Sequence, residues 1–173
     1  MTSTATPTAT KFSSPLNSKP LTLTTDGDTH IVVTRHFTAP TAVVYRAHTE
    51  PELLQKWLLG PEGWTMPVCV CEPWPGGKMR YEWANEKGHS FHITGEFVAV
   101  EPGRRIVHIE RMHLPDPTPD NRVETTLQPD GDGTLMTMRM TLPDSATRAQ
   151  MLSTGMEHGM EASYVRLESL LPF

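Results

Sequence analysis

The order of predicted elements after residue 29 is the feature that most constrains this fold. The β-branched run His30–Phe37 predicts a strand. Ala39-Pro40 ends it, because proline has no amide proton for a sheet and suits the first turn of a helix. Residues 41–48 predict a short helix, and the capping-box pattern Thr49-Glu-Pro-Glu52 predicts a second one that ends near Leu58. The rest of the sheet must therefore form from later residues.

The middle of the chain predicts a run of antiparallel strands. Met79, Tyr81 and Trp83 alternate with charged residues, as in a strand with one buried face. Asp130-Gly-Asp-Gly133 predicts a tight hairpin rather than a calcium loop, and the proline-rich residues 115–120 predict an exposed loop. The predicted strands are residues 66–71, 78–84, 90–100, 105–112, 123–128 and 134–142.

The C-terminal segment, residues 145–171, predicts one long amphipathic helix. Its apolar side chains recur every three or four residues, at Leu152, Met156, Met160, Tyr164, Leu167 and Leu171. Gly155 and Gly159 lie on or beside this stripe, and we expect a close approach of the sheet or of a ligand to explain them. A single helix with such a stripe requires a concave partner.

The first 28 residues are rich in Thr, Ser and Pro and carry few apolar side chains. Such a segment buries too little surface to offset its ordering entropy, so the sequence predicts a disordered or loosely attached tail at residues 1–28 and one domain at residues 29–173. An organelle transit peptide is the alternative, but the segment has no arginine before Arg35.

Composition excludes several classes of function. The 173 residues carry a net charge of -5 with both signs interspersed, which argues against a nucleic-acid partner. No apolar run is long enough to span a bilayer and no secretory signal is visible, so we expect no membrane partner and a cytoplasmic protein. Cys69 and Cys71, two apart on one strand, are expected to be reduced thiols.

The assembled pattern resembles the START-like (SRPBCC) superfamily, and within it proteins described as activator of heat-shock protein 90 ATPase homologue-like. The resemblance covers residues 31–171. It implies an α+β helix-grip fold, in which a curved antiparallel β-sheet wraps around a long C-terminal α-helix and two short helices follow the first strand. The motifs that carry it include Phe37-x-Ala-Pro40, Val44-Tyr45-x-Ala47, Thr49-x-Pro51, Lys56-Trp57, Gly76-Gly77, Gly95-Glu96-Phe97 and Gly133-Thr134.

This architecture implies a cavity between the sheet and the helix that binds an apolar small molecule. Methionine side chains adapt to irregular shapes and suit a permissive pocket, although each of them can equally be ordinary core. We expect three tryptophans near the mouth, Trp57, Trp64 and Trp74. The other predicted ligand-binding residues are Met79, Tyr81, Trp83, Phe91, Ile93, Met112, Met136, Met138, Met140, Leu152, Met156, Met160 and Tyr164.

His108 and Glu110 are the candidate catalytic residues, because they lie two apart on one predicted strand and share a face. Facing inward, they form an acid/base pair; a register shifted by one residue places them on the solvated convex face, which the pattern slightly favours. Metal-ligand spacing is absent, since His89 and His92 fall on opposite strand faces, and no motif indicates a cofactor.

Three functions fit these observations. The first is binding of a small hydrophobic or aromatic ligand by a monomer or homodimer. The second is an enzyme with cyclase-like acid/base chemistry on the same scaffold, since START-like relatives include cyclases. The third is a chaperone-associated or stress-response interaction protein. Against a chaperone partner, Glu72-Pro-Trp-Pro75 lacks the arginine that the family commonly carries before its Gly-Gly, and we expect no additional N-terminal domain.

Overall fold

The structure, a computed structural model, describes residues 19–173. Residues 1–18 of the predicted tail lie outside the described residues. The strands are β1 (Thr22–Asp26), β2 (His30–Phe37), β3 (Trp64–Cys71), β4 (Lys78–Asn85), β5 (Ser90–Glu101), β6 (Arg105–Leu114), β7 (Asp116–Pro117), β8 (Asn121–Asp130) and β9 (Gly133–Thr141). The helices are α1 (Thr41–Thr49), α2 (Pro51–Trp57), α3 (Ser145–Ser153) and α4 (Met156–Leu170).

All the strands belong to one antiparallel sheet, ordered β1-β2-β9-β8-β6-β5-β4-β3, with β7 paired to β6. The sheet is curved and α4 packs on its concave face, so the helix-grip prediction is confirmed. The carboxylate of Glu168 on α4 accepts hydrogen bonds from the amide and the hydroxyl of Thr38, directly after β2. This contact fixes the helix to the point where the chain leaves the sheet. Among residues 19–173, no helix is long and apolar enough to cross a membrane.

Alternation within the strands decides which side chains face the helix. In β4, Met79, Tyr81 and Trp83 are buried, whereas Lys78 and Arg80 are exposed, as the sequence predicts. The hairpin between β8 and β9 is also confirmed, with Asp130 paired to Gly133. Residues 115–120 are not entirely a loop, because β7 adds two exposed residues that pair with the end of β6.

The predicted boundary of the tail at residue 28 is wrong. Thr22–Asp26 forms the edge strand β1, which pairs along its whole length with β2. Leu21 is buried in the core, and its amide donates a 2.8 Å hydrogen bond to Glu161 Oε2 on α4. A strand composed of threonine and aspartate with a single apolar residue gives no clear periodic signal, which explains the error.

The two short helices follow the predicted positions, but the capping box does not form. α2 begins at Pro51, where proline sits in the first turn, and no side chain caps its N-terminus. The Thr49 hydroxyl donates instead to the carbonyl oxygen of Tyr45 at 2.9 Å, within α1. The carbonyl of Glu50 accepts from the amides of Leu53 and Leu54, so the backbone alone starts α2.

The predicted single C-terminal helix is interrupted. Asp144 caps α3 by accepting from the Thr147 amide at 2.7 Å, and α3 ends at Ser153. Gly155 then adopts a left-handed conformation, with φ of 72°, before α4 starts at Met156. The sheet does not approach the two glycines closely, because a Cβ atom at Gly155 or at Gly159 would have its nearest neighbour at 3.7 Å, an ordinary contact; the approach of a ligand stays a prediction.

Alanine at these two glycines is expected to change stability in opposite directions. Gly155→Ala forces an alanine into left-handed backbone and should lower the free energy of unfolding by about 1–2 kcal/mol. Gly159 lies inside α4, so Gly159→Ala should raise the same quantity by about 0.5–1 kcal/mol. Urea unfolding followed by circular dichroism measures both. Equal effects of the two variants would contradict this explanation of Gly155.

Candidate functional site

The strand register determines which residues line the concave face. In one row across the sheet, Tyr81 pairs with Ile93 and Ile93 with Met112. In another row, Phe97 pairs with His108, and His108 pairs with Val123. Since directly opposite residues share a face, the inward side of β4 carries through β5 to β6 and β8. The concave face therefore includes the inward residues of all these strands.

The register also settles the orientation of His108 and Glu110. His108 lies opposite the buried Phe97, with the two ring centroids 6.0 Å apart, and Glu110 lies opposite Gly95. Both side chains therefore face inward, so the slight preference of the sequence analysis for the convex face is wrong. The next residue, Ile109, points outward and is 40% exposed. The pair thus lies on the face that carries the core.

Burial divides the concave face into two regions. Beneath α4, the inward side chains of β2, β8 and β9 are almost all fully buried, for example Ile31, Val33 and Met136. Some inward side chains of β5, β6 and β9 remain partly exposed, as do apolar side chains of α3 and α4. We call this partly exposed region the groove. Its sheet residues are Phe91, Ile93, His108, Glu110, Met112 and Met138, and its helix residues are Leu152, Met156 and Met160.

Aromatic rings form one end of the groove. Trp83 and Phe91 stack with centroids 4.8 Å apart, and Trp64 meets Phe91 edge-on at 5.4 Å. The Trp83 indole nitrogen donates to the carbonyl oxygen of Leu58 at 2.7 Å, which fixes the ring against the segment after α2. Tyr81 lies edge-on to Trp83 at 6.1 Å. The aromatic rings at this end are therefore held in fixed orientations.

Three polar side chains lie together on the floor of the groove. His108 Nε2 is 2.7 Å from Glu110 Oε2, and the Asn121 amide nitrogen donates to Glu110 Oε1 at 3.3 Å. The side chains of His108 and Glu110 are 14% and 17% exposed, whereas Asn121 is almost fully buried. We call these three residues the polar cluster. With Glu110 holding its Nε2, the imidazole can exchange a proton only at Nδ1.

Tyr81 and two thiols lie beside this cluster on the same face. Cys69 pairs with Tyr81, and Cys71 pairs with Met79. Burial, with a smaller contribution from Cys71, raises the pKa of the Tyr81 phenol well above its usual value. Burial likewise raises the pKa of Cys69 to about 12. These groups are thus protonated at neutral pH, and neither cysteine is activated as a nucleophile.

Two predicted mouth residues lie elsewhere. Trp57 is in the core, 2% exposed and stacked on Tyr164 at 5.8 Å, so its expected position near the mouth is wrong. Trp74 is 56% exposed on the loop between β3 and β4. Met136 and Tyr164 lie in the fully buried region between α4 and the sheet, whereas Met79 and Met140 are buried near the polar cluster. The groove thus unites only part of the predicted set.

Sequence reasoning missed two polar residues on the inward face. Arg35 continues the alternation of Ile31 and Val33, and its side chain is fully buried, with Glu161 Oε1 at 3.7 Å and the Lys19 carbonyl oxygen as a hydrogen-bond acceptor. Asn121 precedes Val123 by two and belongs to β8, which begins two residues earlier than predicted. Both Arg35 and Asn121 would have been identified as inward-facing if the alternation of inward and outward residues had been extended past the apolar residues of each strand.

Two surface pockets lie away from the polar cluster. One, of about 260 Å³, includes Trp83 and Phe91 as well as His92 and His113; the other, of about 330 Å³, includes Thr34 and His36. The rings of His92 and His113 stack at 4.3 Å. Within residues 19–173, no three His, Cys, Asp or Glu side chains lie together as metal ligands would. None of the three residues of the polar cluster lines either pocket.

Comparison with known proteins assigns the family. A protein from Rhodobacter sphaeroides shares 29% identity with this chain at a TM-score of 0.84, over 88% of this chain and 98% of its own. A protein from Nitrosomonas europaea shares 26% identity at a TM-score of 0.74, over 85% and 96% of the two chains. No curated protein matches the chain. The family profile described as "Activator of Hsp90 ATPase homolog 1-like protein" matches residues 38–172, so the chain belongs to this family.

Proposed function

We propose that this protein binds a small hydrophobic or aromatic molecule in the groove. The observation that carries the proposal is the partial exposure of apolar side chains that belong to the concave face and pack against the core. Exposed apolar surface in a concave site is typical of ligand-binding sites. The family commonly binds hydrophobic ligands, which supports the same conclusion.

The composition of the groove favours a ligand of variable shape. Met112 and Met138 on the sheet, with Met156 and Met160 on α4, are unbranched and partly exposed. Such side chains change rotamer at low cost, so that the groove widens around a ligand. The stacked Trp83 and Phe91 supply the rigid end. A flat aromatic or polycyclic molecule satisfies both parts of the lining.

A tryptophan placed inside the groove should block binding. The uncharged fluorophore N-phenyl-1-naphthylamine is expected to bind the wild-type protein with increased emission, and Met112→Trp should lower its affinity at least about tenfold because the indole occupies the ligand's space. Native mass spectrometry of the purified wild type should also show a co-purifying small molecule that Met112→Trp lacks.

The same strand offers a matched control. Ile109 lies three residues before Met112 on β6 but points to the outer face, where it is 40% exposed. Ile109→Trp adds the same side chain outside the groove and should leave the affinity within about twofold of the wild type. Equal affinities of wild type and Met112→Trp would contradict binding in the groove.

A further inference from the structure

The polar cluster contains two buried atoms whose hydrogen-bonding capacity is unused. Within residues 19–173, neither Asn121 Oδ1 nor His108 Nδ1 has a hydrogen-bond partner, and both atoms are inaccessible to solvent. A buried polar atom without a partner costs about 1–3 kcal/mol. Both atoms belong to side chains on the concave face, next to Glu110. This arrangement needs an explanation that packing alone does not give.

Glu110 fixes the orientation of both neighbours. Its carboxylate oxygens only accept, so the atom of Asn121 that points at Oε1 must be the amide nitrogen. The Asn121 carbonyl oxygen is then left as an acceptor. In the same way, the His108 nitrogen beside Oε2 must carry a proton, and in the neutral ring Nδ1 is left as a second acceptor. The cluster therefore presents the Asn121 carbonyl oxygen as an unpaired acceptor beside the Glu110 carboxylate.

The cluster is closely packed, so a ligand must displace neighbouring side chains to reach it. Glu110 lies opposite Gly95 on β5, where an added Cβ would clash with the Ile109 carbonyl oxygen and stand 2.9 Å from Met79 Sδ. Met112 follows Glu110 by two residues on the same face, and Met140 lies opposite Val123. Flexible thioether side chains thus adjoin the cluster, and a ligand would reach the buried acceptors by displacing them.

We propose that the groove selects apolar ligands that carry a hydroxyl group, whose proton is donated to Asn121 Oδ1. A hydroxyl satisfies an acceptor that is otherwise unpaired, whereas an ether supplies no proton. A ligand carboxylate supplies no proton either, and it is repelled by Glu110. This inference rests on the proposed function of the groove and adds the class of ligand.

Three matched probes test this preference by isothermal titration calorimetry: 2-naphthol, its methyl ether 2-methoxynaphthalene, and 2-naphthoate. The wild-type protein should bind 2-naphthol at least about tenfold more tightly than the ether, as expected when one buried acceptor gains a partner. 2-Naphthoate should bind most weakly of the three. Equal affinities of naphthol and ether, or tighter binding of naphthoate, would overturn the inference while leaving the groove function intact.

Variants of the cluster show whether Asn121 is responsible. Asn121→Leu should lower the ratio of naphthol to ether affinities to about one, with the affinity for the ether retained. Gln128→Leu, on the exposed outer face of the same strand, is the matched control and should keep the wild-type ratio. A wild-type ratio in Asn121→Leu would overturn the assignment of Asn121 as the acceptor.

A second variant covers the case in which Asn121→Leu does not fold. Glu110→Gln retains the size of the side chain but no longer forces the Asn121 amide into one orientation, so the ratio of affinities should also fall towards one. An unchanged ratio in Glu110→Gln would overturn the proposed role of Glu110. If none of the three probes binds to the wild type, both this inference and the proposed groove function are overturned.

Discussion

Trp57→Ala is expected to lower the free energy of unfolding by about 3–5 kcal/mol, the range for removing a fully buried tryptophan. The ring stacks on Tyr164 of α4 and lies 4.9 Å from the ring of His48 on α1. Its indole nitrogen donates to the carbonyl oxygen of Ala47 at 2.9 Å. One side chain thus joins α1, α2 and α4, and its removal opens a cavity and leaves an acceptor unpaired.

Trp57→Phe separates these two contributions. Phenylalanine keeps an aromatic ring but has no donor for the Ala47 carbonyl, so about 1–3 kcal/mol should be lost for the unpaired acceptor, with a smaller loss of packing. Urea unfolding followed by circular dichroism measures both variants without dependence on tryptophan fluorescence. The control is Trp74→Ala on the exposed loop, which should change stability by less than about 0.5 kcal/mol. Similar losses in Trp57→Ala and Trp74→Ala would refute the core assignment.

The contrast between the buried Trp57 and the exposed Trp74 shows that the sequence did not predict how deeply each tryptophan is buried. Trp57, Trp64 and Trp74 all precede or adjoin turns, and sequence reasoning grouped them at the mouth of the cavity. Their actual positions depend on tertiary contacts. Trp57 is on the buried side of α2, whereas the β3–β4 loop holds Trp74 in solvent. The periodicity of apolar residues predicts helix α2, but it does not predict how deeply each tryptophan ring is buried.

The strands were predictable where one face is apolar and the other charged. The predicted bounds of β2 match the structure, and those of β4 differ by one residue. In β6 the two possible faces are similarly apolar: one has Ile106 and Met112, the other Val107 and Ile109. Pairing with β5, which contains a bulge between Phe97 and Ala99, decides the orientation. The sequence of one strand does not contain this information.

The polar residues of the inward face were the hardest to predict. Arg35 and Asn121 occupy positions that the alternation assigns to the interior, but their side chains are rarely buried without partners. Arg35 obtains its partners, Glu161 and the Lys19 carbonyl, from segments more than ten residues away. Asn121 obtains Glu110 only after β6 and β8 pair. Such contacts exist only in the assembled fold.

Acidification is expected to destabilise the protein through His48. Its Nδ1 proton is donated to the Val44 carbonyl oxygen at 2.7 Å, and its buried Nε2 has no partner among residues 19–173. Protonating Nε2 would bury a charged donor between the rings of Phe37 and Trp57. Burial therefore lowers the pKa of His48 from its usual 6.5 to about 4, although the bond to Val44 opposes the shift.

The sign of the effect follows from proton binding. The unfolded chain protonates this histidine below pH 6.5 and the folded protein only near pH 4, so the unfolded state binds more protons between these values. The stability that His48 contributes is complete above pH 6.5 and is lost as the pH falls. The loss should be about 2 kcal/mol at pH 5 and about 3 kcal/mol below pH 4.

Comparison of pH profiles isolates this one side chain. The free energy of unfolding is measured by urea titration at pH 7.5, 6 and 5 for the wild type, His48→Gln and His158→Gln. Glutamine at position 48 does not titrate, so the difference in stability between wild type and His48→Gln should shift by about 2 kcal/mol between pH 7.5 and 5. His158 is exposed on α4, and its variant should follow the wild type. Parallel profiles for wild type and His48→Gln would show that His48 is not the group whose burial weakens the fold in acid.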